Sequence, residues 1–279
     1  MKSDFKKELL KAKKEGYAIP AFNFDNLEMA KGIIAAADET NHPVILMVTE
    51  SAAKYMGLDF VYEIGRIAVK TSKAPILLFW DHGFDIELIK RACDNGFDAV
   101  MLDSSMKPFD INVKETIEVV EYAHARGVYV ESEIGHVGGK EDDRESKDKG
   151  FTNPQEAIEF NKLTKVDALA IAAGTSHGLF KSKPELQYDL IEEIVNSIDT
   201  PVVLHGSSGV PHEALQKAIS LGIVKVNIGT DLKIANAKAV CEWFDQNENG
   251  YDARKFGQAA IDAVKNAAIE KINVFKNIN

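Results

Sequence analysis

Three apolar stretches of this chain stop in the same way. Ala74-Pro75-Ile76-Leu77-Leu78-Phe79-Trp80 runs into Asp81-His82-Gly83. Ala168-Leu169-Ala170-Ile171-Ala172-Ala173 runs into Gly174-Thr175-Ser176-His177-Gly178, and Pro201-Val202-Val203-Leu204 into His205-Gly206-Ser207-Ser208-Gly209. Short apolar runs without alternation are the mark of strands covered on both faces, as in a parallel sheet flanked by helices. In such sheets ligands and chemistry collect beyond the carboxyl ends of the strands. Three strand ends therefore deliver three histidines, each followed by glycine.

The rest of the chain supplies the other strands. Apolar stretches at 18–23, 43–48, 99–103, 128–134 and 224–228 alternate with helical spacing at 5–14, 26–40, 58–71, 85–95, 110–126, 154–164, 186–198 and 212–221. Gly96 and Gly127 stand just past two of these helices, where a left-handed residue ends a helix. Eight βα units in about 230 residues is the size of a (β/α)8 TIM barrel. No linker or low-complexity tract divides residues 1–279, so one domain is expected. Residues 252–279 add a C-terminal helix, with Ile261, Val264, Ala268, Ile272 and Phe275 on one face, packed outside the barrel or on a second subunit. The other arrangement, an open doubly wound sheet, lacks its Gly-x-Gly-x-x-Gly fingerprint after the first strand.

The net charge of −10 excludes a nucleic-acid or anionic-membrane surface but not a phosphorylated small molecule. Residues 1–7 show no apolar signal-peptide core, and no apolar stretch reaches the ~18 residues of a membrane span. Cys93 and Cys241 lie far apart in helical segments and are expected to be buried free thiols, which suits a reducing, cytoplasmic compartment.

Of seven histidines, His42, His124 and His212 fall at helix edges or turns and are expected at the surface. His82, His177 and His205 converge on one barrel mouth. Three imidazoles with an open position suit Zn²⁺ acting as a Lewis acid. Glu133 can supply a fourth oxygen, and Glu131, two residues earlier, shares its face. One of the two can orient an imidazole instead. Asp81 directly precedes His82, so strand alternation points the two side chains apart. Asp81 is a proton donor and acceptor beside a metal, a helix cap, or an acceptor behind a ligand. Asp103 ends the fourth strand in the same ring, as acid or as cap. The Gly/Ser loop 205–209 and the strand end Asn227-Ile228-Gly229-Thr230 are where such barrels hold phosphate. Lys181 can add a cation. The polar loop 135–150 reads as a structureless lid, hinged at Gly135, Gly138 and Gly139, that can swing Glu141 inward as a base.

Taken together, these stretches, with Val130-Glu131-Ser132-Glu133-Ile134-Gly135, Gly138-Gly139-Lys140-Glu141-Asp142 and Lys225-Val226-Asn227-Ile228, resemble the class II, metal-dependent ketose-bisphosphate aldolases over nearly the whole chain. The resemblance covers the fructose-1,6-bisphosphate and tagatose-1,6-bisphosphate enzymes. It implies that His82, His177 and His205 hold Zn²⁺, with Glu133 as an alternative ligand. It implies cleavage of a ketose 1-phosphate or 1,6-bisphosphate to dihydroxyacetone phosphate and an aldehyde, through a metal-stabilised ene-diolate. Glu141 would move the proton at the nucleophilic carbon and Asp81 the proton of the C4 hydroxyl. Gly178, Lys181, Gly206, Ser208, Asn227 and Thr230 would hold the phosphate beside a monovalent cation, Na⁺ or K⁺. Arg254 is the candidate for a second phosphate. A homodimer or homotetramer is also implied. Phe79, Met106, His136 and Gly229 depart from the family's usual residues and are expected near the pocket, where they bear on specificity. Two other classes fit the strand-end residues: a Zn²⁺ hydrolase on the same barrel, and a non-catalytic sugar-phosphate binder.

Overall fold

The computed structural model describes residues 4–141, 144–146, 150–180 and 184–276. The chain enters through α1 (Phe5–Glu15), β1 (Ile19–Asn23), α2 (Leu27–Thr40) and β2 (Val44–Thr49). Two helices follow, α3 (Glu50–Met56) and α4 (Leu58–Thr71), then β3 (Ile76–Gly83), α5 (Ile86–Asp94), β4 (Ala99–Leu102), α6 (Phe109–His124) and β5 (Tyr129–Ile134). A hairpin, β6 (Gly139–Glu141) with β7 (Arg144–Ser146), interrupts the alternation. It resumes with α7 (Pro154–Thr164), β8 (Ala168–Ile171), α8 (Tyr188–Ser197), β9 (Val202–Leu204), α9 (His212–Ser220), β10 (Ile223–Ile228) and α10 (Thr230–Gln246), followed by α11 (Ala253–Lys276). β1 pairs with both β2 and β10, so the eight long strands close into one parallel barrel. This is the expected (β/α)8 barrel with its additional C-terminal helix. Two elements were not expected: the short helix α3, and the hairpin in place of a structureless lid.

Local chemistry explains the boundaries. The Asp4 carboxylate accepts from the Lys7 amide to start α1, and Gly16 ends it at φ 72°. Asp85 caps α5 by accepting from the Glu87 and Leu88 amides, and Asn153 with Pro154 starts α7.

Strand alternation builds two cores. Leu77 and Phe79 of β3 point into the barrel with Ile45, Met47, Ala99 and Met101, whereas Leu78 and Trp80 face the helices. Phe5, Leu9 and Ala12 of α1 plug the amino-terminal end of the barrel. Phe79 is part of that plug, stacked on Phe5 with ring centroids 5.7 Å apart. It is not a pocket wall, contrary to expectation, because its position along β3 lies below the mouth. α11 covers the outside through Val264, Ala268, Ile272 and Phe275, which are fully buried. Gly32 of α2 allows this approach, since a Cβ there would lie 2.8 Å from the Ile261 carbonyl oxygen.

Two surface assignments are corrected. His42 is buried, its Nδ1 2.9 Å from the Pro43 carbonyl oxygen and its ring edge-on to Tyr17. The Tyr17 ring, 5.3 Å away between centroids, covers it although it stands in a turn. Cys93 is buried, and burial pushes its thiol up to about 12, but Cys241 is exposed on the outer face of α10. His124 and His212 are exposed as expected.

Candidate functional site

The mouth is assembled from the carboxyl ends of β1, β3, β5, β8, β9 and β10. β3 does this by breaking its own alternation. Asp81 continues the inward series of Leu77 and Phe79, so His82 should face outward. His82 instead has φ 44°, and the pairing of β3 with β4 slips between Trp80 and Gly83. A left-handed residue at a strand end rotates the following direction of the chain. Both Asp81 and His82 therefore reach the mouth, Asp81 toward Asn23 and Asn227 and His82 toward Asp103.

His82, His177 and His205 each offer a ring nitrogen within 4.8 Å of the others. Hydrogen bonds on the far sides of two rings set which nitrogen faces the centre. His82 Nδ1 lies 2.9 Å from Asp103 Oδ2, and His205 Nε2 lies 2.7 Å from Glu131 Oε1. The remaining nitrogens, His82 Nε2 and His205 Nδ1, stand 2.8 Å apart. Burial and the neighbouring His82 push His177 down to about 3 and His205 well below the usual imidazole range. Both therefore present neutral rings with lone pairs at pH 7.

The carboxylates complete the set. Glu133 is buried, and its Oε2 accepts no hydrogen bond, while Oε1 accepts from the Val137 amide at 3.0 Å. Burial and the charge of Asp103 push its carboxyl up to about 8. A buried carboxyl oxygen without a hydrogen-bond partner, 3.9 Å from His205 Nδ1, and a raised proton affinity are what a cation would relieve. This donor set of imidazole nitrogens and one oxygen fits a divalent metal. Glu131 is turned away from the centre, toward His205 Nε2 and Lys225. Asp103 caps no helix but accepts from His82 and from the Ser105 amide and hydroxyl. Asp81 is fully buried and accepts from Asn23 at 2.8 Å and Asn227 at 3.2 Å.

Beside the imidazoles lies a small cleft of ≈ 50 Å³. Gly178, Gly206, Ser208, Asn227 and Thr230 line it, with Asn23, Lys140, His177, Ser207 and Gly229. α10 starts at Thr230 after Gly229, which has no side chain to cap it; the Asp231 amide donates to Ser208 Oγ at 3.2 Å, and Gly229 and Thr230 bring the helix amino end to this cleft. Lys181 lies outside the described residues, as does the side chain of Glu141, whose backbone ends β6. The base of the hairpin grips the His177 loop. His177 N donates to the Gly138 carbonyl at 2.8 Å, and Lys140 N to the His177 carbonyl at 3.2 Å. On the other side Gly206, at φ 61°, lets the β9 loop touch the same segment. A Cβ at Gly206 would lie 2.6 Å from the Ser176 carbonyl carbon. Gly206→Ala is therefore expected to cost about 2–3 kcal/mol, from the left-handed backbone and the forced separation of His205 from His177. Urea unfolding measures this, and an unchanged midpoint would contradict the contact.

Of the other departures, Gly229 lines the cleft, and Met106 is 63% exposed on the loop after β4. His136 Nδ1 lies 3.1 Å from the Ser105 hydroxyl. Arg254 is not at the mouth cleft: it is exposed at the start of α11 and paired with Asp252 at 3.0 Å. The sequence reading missed three participants. Asn23 ends a strand and could have been found by that position alone. Lys140 sits inside the quoted Gly-Gly-Lys-Glu-Asp motif. Lys225 precedes Asn227 by two and thus shares its inward face.

Comparison with known proteins agrees with this geometry. The family model described as fructose-bisphosphate aldolase class-II matches residues 3–279. A fructose-bisphosphate aldolase of Geobacillus stearothermophilus is 44% identical over 273 residues, covering 96% of this chain and 95% of that protein. One from Staphylococcus epidermidis is 42% identical over 277 residues, covering 98% and 97%. Among solved structures, the YdjI aldolase from Escherichia coli K12 superposes with a TM-score of 0.88 at 33% identity, covering 99% of this chain and 97% of that one. The lyase family replaces the hydrolase and the non-catalytic binder, the two other readings the strand ends allowed. The chain belongs to the class II fructose-bisphosphate aldolase family, and is a metal-dependent, carbon–carbon bond-cleaving enzyme of that family.

Proposed function

We propose that this aldolase cleaves a ketose 1-phosphate or 1,6-bisphosphate reversibly to dihydroxyacetone phosphate and an aldehyde. The observation that carries the reading is three converging imidazoles and an undonated Glu133 oxygen beside a Gly/Ser cleft at a helix amino end. His82, His177 and His205 would hold Zn²⁺, with Glu133 as the alternative ligand. When bound, Zn²⁺ supplies a Lewis acid that polarises the ketone of the substrate. The family likeness adds Na⁺ or K⁺ beside the phosphate.

The chain's own groups then divide the work. Gly178, Gly206, Ser208, Asn227, Thr230 and, by the resemblance, Lys181 hold the phosphate. Asp81 takes the proton of the C4 hydroxyl. That O–H pair becomes the aldehyde C=O, the C3–C4 bond breaks, and its electrons pass to C3 as the ene-diolate. Glu141, on the hairpin gripped against His177, delivers a proton to C3. Condensation runs the same path backward, with Asp81 protonating the aldehyde oxygen. The two amides of Asn23 and Asn227 aim the Asp81 carboxylate for this exchange. A homodimer or homotetramer belongs to the same proposal and is supported by the exposed Phe60 and Ile67, seven residues apart on α4. Among the described residues no helix is long and apolar enough to cross a membrane.

The test is release of dihydroxyacetone phosphate from a panel of ketose 1-phosphates and 1,6-bisphosphates. Release that EDTA abolishes and Zn²⁺ restores is expected, and the best substrate identifies the aldehyde half. No release from any member by zinc-loaded protein would overturn the substrate class.

A further inference from the structure

Lys225 is the most deeply buried cation of the described residues, and the reaction as set out above does not use it. It sits on the inner face of β10, paired in register with Ile19 of β1, with no exposure to solvent. It does not line the cleft. Its ammonium lies 4.3 Å from the centroid of Phe79, directly above the plug formed with Phe5. An apolar residue would fill this position, as Val203 and Met101 do elsewhere in the barrel. A buried lysine survives only where its donors are all engaged.

They are engaged in two directions. Nζ donates to Glu131 at 3.0 Å and to Asn227 Oδ1 at 2.7 Å. An ammonium can only donate, so Asn227 must present its oxygen to Lys225. That leaves the amide NH₂ of Asn227 for Asp81, 3.2 Å away. Reversed, the amide would set its oxygen against the Asp81 carboxylate. In the other direction Lys225 Nζ fixes the Glu131 carboxyl group, whose Oε1 accepts from His205 Nε2 at 2.7 Å. This keeps His205 Nδ1 toward His82 and His177.

We propose that Lys225 is a positioning residue that joins the two halves of the centre: it holds Glu131 on His205 and turns the Asn227 amide toward Asp81. The inference rests on the roles proposed above for His205 and Asp81. Lys225 touches neither substrate nor metal and acts through these neighbours.

Lys225→Met tests it, since the side chain keeps its length and loses its charge. Turnover is measured at saturating Zn²⁺ in the wild-type and Asp81→Asn backgrounds, and Zn²⁺ affinity of the metal-free protein by chelator competition. Loss of about 10–100-fold in kcat with KM nearly unchanged is expected, the range for a partner behind a reacting group. In Asp81→Asn the same substitution should cost almost nothing more, because both act on one proton transfer. Zn²⁺ affinity should weaken about tenfold. A lysine that merely fills space would lower the melting temperature and leave all three unchanged. Full turnover, equal losses in both backgrounds, or unaltered Zn²⁺ affinity would each overturn the proposal. Should Lys225→Met not fold, Lys225→Met/Glu131→Gln removes both buried charges together and leaves neither unpaired. That variant should show the same losses; normal kcat or normal Zn²⁺ affinity in it is equally fatal. The zinc titration needs no turnover, so it separates failure of this inference from failure of the aldolase substrate assignment.

Discussion

Asp81→Ala is expected to bind its metal normally and to cleave at least about 100-fold more slowly, the low end for a positioned acid–base group. The carboxylate is fully buried at the end of β3 and accepts from Asn23 and Asn227. Neither amide bonds to His82, His177 or His205 more closely than the 3.3 Å between Asn227 Nδ2 and His205 Nε2. Removing the carboxylate therefore strands two amide donors without disturbing the hydrogen bonds that orient the imidazoles, His82 to Asp103 and His205 to Glu131. Zinc content by mass spectrometry and steady-state cleavage form the measurement. Retained turnover would remove Asp81 from the proton path, and lost metal would move it into the ligand set.

His205→Ala is expected to abolish both metal binding and cleavage. Losing a group behind a ligand typically costs 10–100-fold in metal affinity, so losing the ligand itself should exceed about 100-fold. The structure sharpens the expectation, because His205 Nε2 also donates to Glu131. The variant leaves Glu131 buried against Lys225 with one acceptor site empty, a further cost to the mouth. His205→Gln keeps a polar partner for Glu131 but not the imidazole lone pair, so it should hold its fold and still lose metal. Zinc-loaded His205→Gln with normal cleavage would sink the three-imidazole site.

The barrel was legible because strands covered on both faces are apolar runs, and helices between them carry a 3.6-residue period. The ends of β3, β8 and β9 were legible because His-Gly after an apolar run is a change of chemistry at a known place. The hairpin β6–β7 was not, because its residues are polar on both faces and carry no burial period. The exposure of Cys241 was not, because the weak amphipathicity of α10, with Leu232 its one buried residue, does not say which face meets solvent.

The sequence by itself determined the architecture, the three histidines and their arrival at one mouth, because local period and strand-end position are properties of adjacent residues. Only the tertiary structure decided which way each group points. His82 turns inward through a left-handed backbone that no pattern announces. Glu131 and Glu133, alike in sequence, part company because β10 places Lys225 beside the first, while the second lies near Asp103 and His205. Phe79, read as a pocket candidate, lies in the plug against Phe5. Hydrogen bonds across strands that are 58 to 146 residues apart aim Asp81, and such contacts exist only once the barrel has closed.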